Sequence, residues 1–134
     1  MTLKTPVALI TGAGSGIGRA LAIEAARSGY DLILVGRRQA QLEETAALLT
    51  TGKVQLVAAD ITTPVGRADI VAAVEDRLDI LVNNAGRLAV GRLTDLSDAD
   101  IAHTVGTNLT AAAQLTRDLV PALSVAQGRI VNIG

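Results

Sequence analysis

Residues 7–18 read VALITGAGSGIG, in which a short apolar run leads directly into a turn that contains four glycines. Helical spacing follows the turn, because Ile17, Leu21 and Ala25 recur every four positions. A strand that turns into a helix brings backbone N–H groups and the positive end of the helix dipole to one point, which favours an anion. Glycines let the backbone approach a pyrophosphate without interference from Cβ atoms. The stretch therefore predicts a strand, an anion-binding turn and a helix.

Similar apolar runs recur along the chain and predict five strands, at residues 7–11, 32–35, 54–58, 80–83 and 129–133. The runs are nearly continuous rather than alternating, which is typical of a parallel sheet covered on both faces. Helical spacing fills the intervals, for example at Ile70, Val74 and Leu78, and the longest such pattern covers residues 108–126. The order predicts an α/β fold, a doubly wound parallel sheet of about five strands with helices on both faces, in one domain over residues 1–134.

The composition excludes several classes of function. The chain has 134 residues, a net charge of −1 and 1% aromatic residues, so it offers neither a basic surface for nucleic acid or anionic lipid nor aromatic rings on which bases stack. It has no cysteine and one histidine, and we expect no disulfide and no metal site. No apolar run approaches the roughly 18 residues of a membrane span, and the N-terminus lacks the features of a signal peptide. We expect a cytoplasmic protein without nucleic-acid or membrane partners.

Two motifs together point to a known family. Residues 11–18 read TGAGSGIG, which departs from the G-x-G-x-x-G pattern and fits T-G-x-x-x-G-x-G. The sequence NNAG stands at the end of the fourth predicted strand, at residues 83–86, and Asp60 follows the third. On these residues the chain resembles the classical short-chain dehydrogenase/reductase family, from about residue 7 to residue 134. The resemblance implies a Rossmann-like NAD(P)-binding domain that is truncated after strand five.

The resemblance also implies a role for individual residues. Those that would line the cofactor pyrophosphate are Gly12, Ser15, Gly16, Ile17 and Gly18. Asp60 would accept a hydrogen bond from the adenine amino group, and Ile61 would flank the ring. Asn83, Ala85 and Gly86 would lie along the adenosine ribose and support the central sheet. Asn108 corresponds to the family asparagine that helps to hold a proton-relay water, so it is expected to be a supporting residue in catalysis.

The end of the second predicted strand bears on the choice of cofactor. Relatives that prefer NAD(H) carry an acidic residue there, whereas this chain has Arg37 and Arg38. A guanidinium group suits the 2′-phosphate of NADP(H), so these residues favour NADP(H) over NAD(H). The alternative is that both arginines only form a solvated start to the next helix, and Ser15 weakens the case slightly because many NADP(H)-preferring relatives have a basic residue there.

The catalytic serine, tyrosine and lysine of the family have no counterpart in this chain. The family serine follows strand five, and its Tyr-x-x-x-Lys pair lies on a later helix. Here the chain ends at Gly134, the one tyrosine is Tyr30, and the lysines are Lys4 and Lys53. We therefore expect the chain alone to be inactive, as a fragment of a longer oxidoreductase or as a half-protein. Strand five would be a bare edge, and because relatives commonly form dimers and tetramers we expect a homo-oligomer.

Three functions remain open from the sequence. The first is that the chain is the NADP(H)-binding part of an enzyme that transfers hydride between NADP(H) and a carbonyl or alcohol substrate. The second is a non-catalytic NADP(H)-binding module, and the third is a structural or interaction half-domain without nucleotide binding.

Two further features favour structural explanations. His103 is interpreted as a surface or half-buried helix residue, since no serine stands at a nucleophile turn. The acidic residues near Ser97, such as Asp100, are interpreted as a helix cap rather than a metal site.

Overall fold

A computed structural model describes residues 3–50 and 52–134, and it contains a parallel five-stranded sheet in the order β3-β2-β1-β4-β5. The strands are β1 (Val7–Thr11), β2 (Asp31–Gly36), β3 (Val54–Ala58), β4 (Ile80–Asn83) and β5 (Arg129–Asn132). The helices are α1 (Gly16–Arg27), α2 (Gln39–Ala47), α3 (Pro64–Val74), α4 (Asp98–Val105) and α5 (Ala112–Ala126). All four pairs of neighbouring strands are parallel. The predicted α/β fold with a Rossmann-like parallel sheet is therefore confirmed.

A separate apolar core covers each face of the sheet. Successive strand residues point to opposite faces, so Leu9 belongs to one core and Ile10 to the other. The first core includes Ile70 of α3 and Leu115 of α5, and the second includes Leu42 of α2. The central strands β1 and β2 are almost fully buried, which explains their continuous apolar sequences.

The helical pattern predicted for residues 108–126 belongs to a longer helical segment. This segment starts at α4, continues through a π-helical stretch at Gly106–Ala111 and ends with α5. Its start is fixed by a capping box, in which the Ser97 hydroxyl accepts a hydrogen bond from the backbone N–H of Asp100 and the Asp100 carboxylate accepts one from Ser97. The interpretation of Asp100 as part of a cap is thus confirmed, whereas the predicted start at residue 108 was wrong. Within residues 3–50 and 52–134, no helix combines the length and apolar character that a bilayer crossing requires.

The third helix is shorter than its apolar spacing predicts. It ends at Val74, because Glu75 has a positive φ of 60° with a ψ of −114°, which does not continue a helix. Leu78 therefore lies outside the helix, but it is fully buried and its backbone N–H donates to the carbonyl oxygen of Ala122 at 3.1 Å. Leu78 therefore continues the four-residue apolar spacing of Ile70 and Val74, although the helix has already ended.

The fifth strand forms one edge of the sheet, as predicted. It pairs only with β4 among the described strands, and all four of its residues are exposed. Ile130 and Val131 remain 45% and 41% exposed, respectively. The strand thus presents an apolar edge to solvent.

Candidate functional site

A large cleft lies at the carboxyl ends of the strands. The chain runs outward from β1 to β3 and then crosses to β4, so the winding direction changes between β1 and β4. In open parallel sheets, ligands bind at such a switch point. The cleft has a volume of about 560 Å³. Residues from several predicted motifs line it, namely Gly12, Gly14, Ser15, Arg37, Arg38, Asp60, Ile61, Ala85 and Gly86.

The glycine-rich turn presents unpaired N–H groups at this cleft. Gly12 and Gly16 have φ of 63° and 53°, a backbone conformation that residues with a Cβ atom rarely adopt. The turn leads into the N-terminus of α1, and the Ser15 side chain does not cap it. Within residues 3–50 and 52–134, the N–H groups of residues 14–18 have no hydrogen-bond acceptor. These donors and the helix dipole form a site suited to an anion.

The turn is held by a side chain at the end of β1. The Thr11 hydroxyl accepts hydrogen bonds from the backbone N–H groups of Asn84 at 3.0 Å and Ala85 at 2.9 Å. The same oxygen lies 3.3 Å from the carbonyl oxygen of Val82, to which it donates. The Asn84 side-chain amide in turn donates to the carbonyl oxygens of Thr11 and Gly12, at 3.1 and 3.2 Å. This network joins the loop after β4 to the glycine-rich turn.

Close backbone packing accounts for two of the glycines. A Cβ atom at Gly18 would overlap the carbonyl oxygen of Gly12 and would lie 2.7 Å from the Asn84 side-chain nitrogen. A Cβ atom at Gly12 would lie 3.0 Å from the Cα atom of Ala85. The TGAGSGIG and NNAG motifs therefore contact each other directly, which explains in physical terms why the two sequences occur together.

Charged side chains line the part of the cleft formed by the ends of β2 and β3. Arg37 and Arg38 are exposed and follow β2, and Asp60 follows β3. The hydroxyl and backbone N–H of Thr62 both donate to the Asp60 carboxylate, at 2.7 and 2.9 Å. These hydrogen bonds, and to a smaller extent the positive charge of Arg37, hold the pKa of Asp60 below its ordinary value. Asp60 is therefore an ionised hydrogen-bond acceptor at neutral pH, beside a pair of guanidinium groups.

Five of the predicted site residues do not line the cleft, namely Gly16, Ile17, Gly18, Asn83 and Asn108. Ile17 is 59% exposed and does not line the cleft. The Asn83 side chain donates to the hydroxyl of Thr116 in α5 and to the side-chain oxygen of Asn132 in β5, at 3.0 and 2.9 Å. Asn83 thus ties the central sheet to its neighbours, in line with the supporting part of its predicted role, and its side chain does not face the cleft.

Asn108 holds the loop that follows the NNAG motif. Its side-chain oxygen accepts from the backbone N–H of Arg87 at 2.7 Å, and its side-chain nitrogen donates to the Arg87 carbonyl oxygen at 2.8 Å. Asn108 lies in the π-helical stretch, and such distortions occur frequently at functional sites. The predicted supporting residue therefore acts on the backbone of a residue that lines the cleft.

Several residues of the site were not predicted from the sequence. Thr11 and Asn84 belong to the two motifs, but the sequence predicted no role for them. The hydrogen bonds between them form because the sheet order places β1 beside β4. His103 and Thr107 line the cleft because α4 and the π-helical stretch pass beside it. His103 is exposed, in agreement with its interpretation as a surface residue. No local sequence pattern predicts that these helical residues lie beside the cleft.

Tyr30 lies at the other end of the sheet. It precedes β2, and its backbone carbonyl lies near Gly52, which comes just before β3. The amino ends of parallel strands are opposite to the edge that forms the cleft. The one tyrosine of this sequence is therefore remote from the anion site.

Comparisons with known proteins agree with this geometry. A family model described as short chain dehydrogenase matches residues 6–134. An uncharacterized oxidoreductase of Staphylococcus epidermidis is 33% identical over 135 residues, which cover 98% of this chain and 58% of the relative.

Solved structures give the same result. The short-chain dehydrogenase from Sphingobium yanoikuyae in complex with NADPH is 38% identical with a TM-score of 0.86, over 96% of this chain and 53% of that chain. The L-sorbose reductase from Gluconobacter frateurii, complexed with NADPH and L-sorbose, is 35% identical with a TM-score of 0.88. The match covers 96% of this chain and 51% of that chain. The chain thus spans about half the length of the proteins that it matches.

Proposed function

This chain belongs to the short-chain dehydrogenase/reductase family, as its motifs indicate, and we propose that it is the NADP(H)-binding part of a carbonyl or alcohol oxidoreductase. The observation that carries the proposal is the row of N–H groups at residues 14–18, which have no acceptor among the described residues and belong to a turn whose Gly14 and Ser15 line the cleft. A dinucleotide pyrophosphate has the charge and the acceptor oxygens that such a row requires. The NADPH complexes of two similar proteins support this choice of ligand.

In this proposal, the cleft holds the adenosine half of the cofactor between β2, β3 and β4. The ionised Asp60 accepts a hydrogen bond from the adenine amino group, and Ile61 contacts the ring. Ala85 and Gly86 pass along the ribose, and the N–H groups of the glycine-rich turn contact the pyrophosphate. Asn108 contributes indirectly, because it fixes the backbone at Arg87.

Arg37 and Arg38 are the groups that we propose to select NADP(H). Both line the cleft at the end of β2, where an NAD(H)-specific site would place an acidic residue near the ribose 2′-hydroxyl. A guanidinium group binds a phosphate through charge-assisted and often bidentate hydrogen bonds. NADP(H) should therefore bind more tightly than NAD(H), which lacks the 2′-phosphate.

Catalysis requires a proton donor, and in the family this group is a tyrosine, which the described residues do not place at the cleft. When bound, the nicotinamide cofactor exchanges a hydride with the substrate carbon, and the substrate oxygen must gain or lose a proton in the same reaction. Tyr30 lies at the opposite end of the sheet, so it does not serve this purpose. We propose that the chain supplies cofactor binding, and that it does not turn over substrate without a catalytic group from outside these 134 residues.

The remote position of Tyr30 equally favours a second candidate function, a non-catalytic NADP(H)-binding module. Both functions require dinucleotide binding, and they differ in turnover. Reductase activity with carbonyl substrates in the protein as it occurs naturally would support the first function. Tight NADPH binding without turnover in that protein would support the second.

The experiment that tests cofactor selection compares NADPH and NADH binding by nicotinamide fluorescence in the Arg37→Asp variant. Removal of a charge-assisted phosphate contact corresponds to about 10- to 100-fold in affinity, so the variant should lose most of its preference for NADPH. Arg27→Asp is the matched control, because Arg27 is exposed in the last turn of α1, at the far end of that helix from the glycine-rich turn. An unchanged preference in Arg37→Asp would contradict the role of Arg37.

A further inference from the structure

Two side chains behind the glycine-rich turn bind its carbonyl groups. Thr45 of α2 is fully buried, and its hydroxyl lies 2.8 Å from the carbonyl oxygen of Ala13. Arg19 of α1 donates from one terminal nitrogen to the carbonyl oxygen of Gly14 at 2.6 Å. The Arg19 Nε atom also donates to the Thr45 hydroxyl oxygen at 3.0 Å. The two residues and the two consecutive carbonyls thus form one hydrogen-bonded unit.

The donors and acceptors of this unit define its orientation. A threonine hydroxyl has a single proton, and Ala13 is a closer acceptor than Gln41, whose carbonyl oxygen lies 3.3 Å from the hydroxyl. Because Arg19 donates to the hydroxyl oxygen, the proton of Thr45 is left for Ala13. The charge of Arg19 is offset by Glu44, whose carboxylate lies 3.1 Å from the guanidinium group.

The planar trans peptide transmits this orientation to the cleft. The C=O and N–H groups of one peptide unit point in opposite directions. When the carbonyls of Ala13 and Gly14 face Thr45 and Arg19, the N–H groups of Gly14 and Ser15 face the other way. Gly14 and Ser15 line the cleft, and their N–H groups have no acceptor among the described residues.

We infer that Arg19 and Thr45 are positioning residues, which aim the N–H groups of Gly14 and Ser15 at the cofactor pyrophosphate. The inference rests on the proposed function, since it concerns the same site. It also predicts that the pair affects binding of the pyrophosphate and not of the 2′-phosphate. The proposed 2′-phosphate residues, Arg37 and Arg38, follow β2, where Gly36 packs against the fully buried Leu42 in a contact separate from this unit.

The test measures the affinity of two nucleotides by isothermal titration calorimetry. NADPH carries both the pyrophosphate and the 2′-phosphate, whereas adenosine 2′-monophosphate carries only the latter. In Thr45→Val, which has nearly the same shape but no hydroxyl, NADPH should bind about tenfold or more weakly, because donors to a charged group lose their alignment. The affinity for adenosine 2′-monophosphate should stay unchanged, and Thr45→Ser should restore NADPH binding.

Two further variants separate hydrogen-bond geometry from charge and from general loss of stability. Arg19→Lys keeps the positive charge but lacks the planar fork that contacts Thr45 and Gly14 together, so it should also weaken NADPH binding alone. Thr104→Val is the matched control, since the Thr104 hydroxyl also donates to a helix carbonyl, that of Asp100 at 2.8 Å, but does not contact the turn. It should bind both nucleotides as the wild type does.

The possible outcomes distinguish the inference from the proposed function. Wild-type protein that binds neither nucleotide would overturn the proposed function and the inference together. If the wild type binds NADPH and both Thr45→Val and Arg19→Lys bind it equally well, only the inference is overturned. An equal loss of affinity for both nucleotides would also overturn it, because that result indicates a general structural role. A loss confined to NADPH, with rescue by Thr45→Ser, is the result that we expect.

Discussion

Replacement of Thr11 by valine should destabilise the protein strongly, even though valine has almost the same shape. Thr11 is 1% exposed, and its hydroxyl accepts hydrogen bonds from the backbone N–H groups of Asn84 and Ala85. Valine would leave both donors without their acceptor. An unsatisfied buried donor costs about 1–3 kcal/mol, so the two together should lower the free energy of unfolding by about 2–6 kcal/mol.

The measurement is urea unfolding followed by circular dichroism. For small proteins the free energy of unfolding falls by about 2 kcal/mol per molar urea, so the midpoint of the Thr11→Val variant should fall by about 1–3 M. Thr11→Ser is the control, because it keeps the hydroxyl and loses one methyl group at a cost of about 1 kcal/mol. If Thr11→Val unfolds at the same urea concentration as Thr11→Ser, then the hydroxyl does not hold the two motifs together and the reasoning fails.

Two other predictions concern glycine packing and the helix cap. Gly18→Ala should lower the free energy of unfolding by about 1–3 kcal/mol and weaken NADPH binding, because its Cβ atom would overlap the carbonyl oxygen of Gly12. By contrast, Gly106→Ala should raise the free energy of unfolding by about 0.5–1 kcal/mol, since Gly106 is helical and an added Cβ atom would lie in open space. Equal urea midpoints for the two variants would contradict the packing argument. Hydrogen bonds from the backbone and hydroxyl of Ser97 hold the pKa of Asp100 below its ordinary value of 3.8, so its stabilising effect is fully present above that pH and is lost as the pH falls through the lower, folded-state pKa. Thermal unfolding of Ser97→Ala should therefore depend less on pH in the acid range than unfolding of the wild type, and equal acid dependence would exclude this role of the capping box.

The sequence predicted the sheet because the signals for it are local. Each strand is a short apolar run, and Gly29 has the positive φ of 89° that its position after α1 indicates. The anion site was also predictable, since the turn and the helix N-terminus are contiguous in the chain. The capping box at Ser97 was predicted for the same reason, because its two partners are three residues apart.

The parts of the site that could not be predicted depend on distant contacts. Asn108 was assigned through the family resemblance, but its bonds to Arg87 follow from a π-helical stretch that no spacing signals. The contact between Thr45 and Ala13 joins residues 32 positions apart and depends on how α2 packs behind the turn. The end of α3 at Val74 was missed because the buried Leu78 continues the apolar spacing after the helix has stopped.

The central claim is that the N–H groups of the glycine-rich turn bind the cofactor pyrophosphate. Titration of the ¹⁵N-labelled protein with NADPH, followed by two-dimensional NMR of the backbone amides, tests this claim most directly. The account predicts saturable shifts that are largest at residues 14–18, whose N–H groups have no acceptor among the described residues. NADPH binding that leaves these amides unshifted, or an absence of any saturable shift, would contradict it.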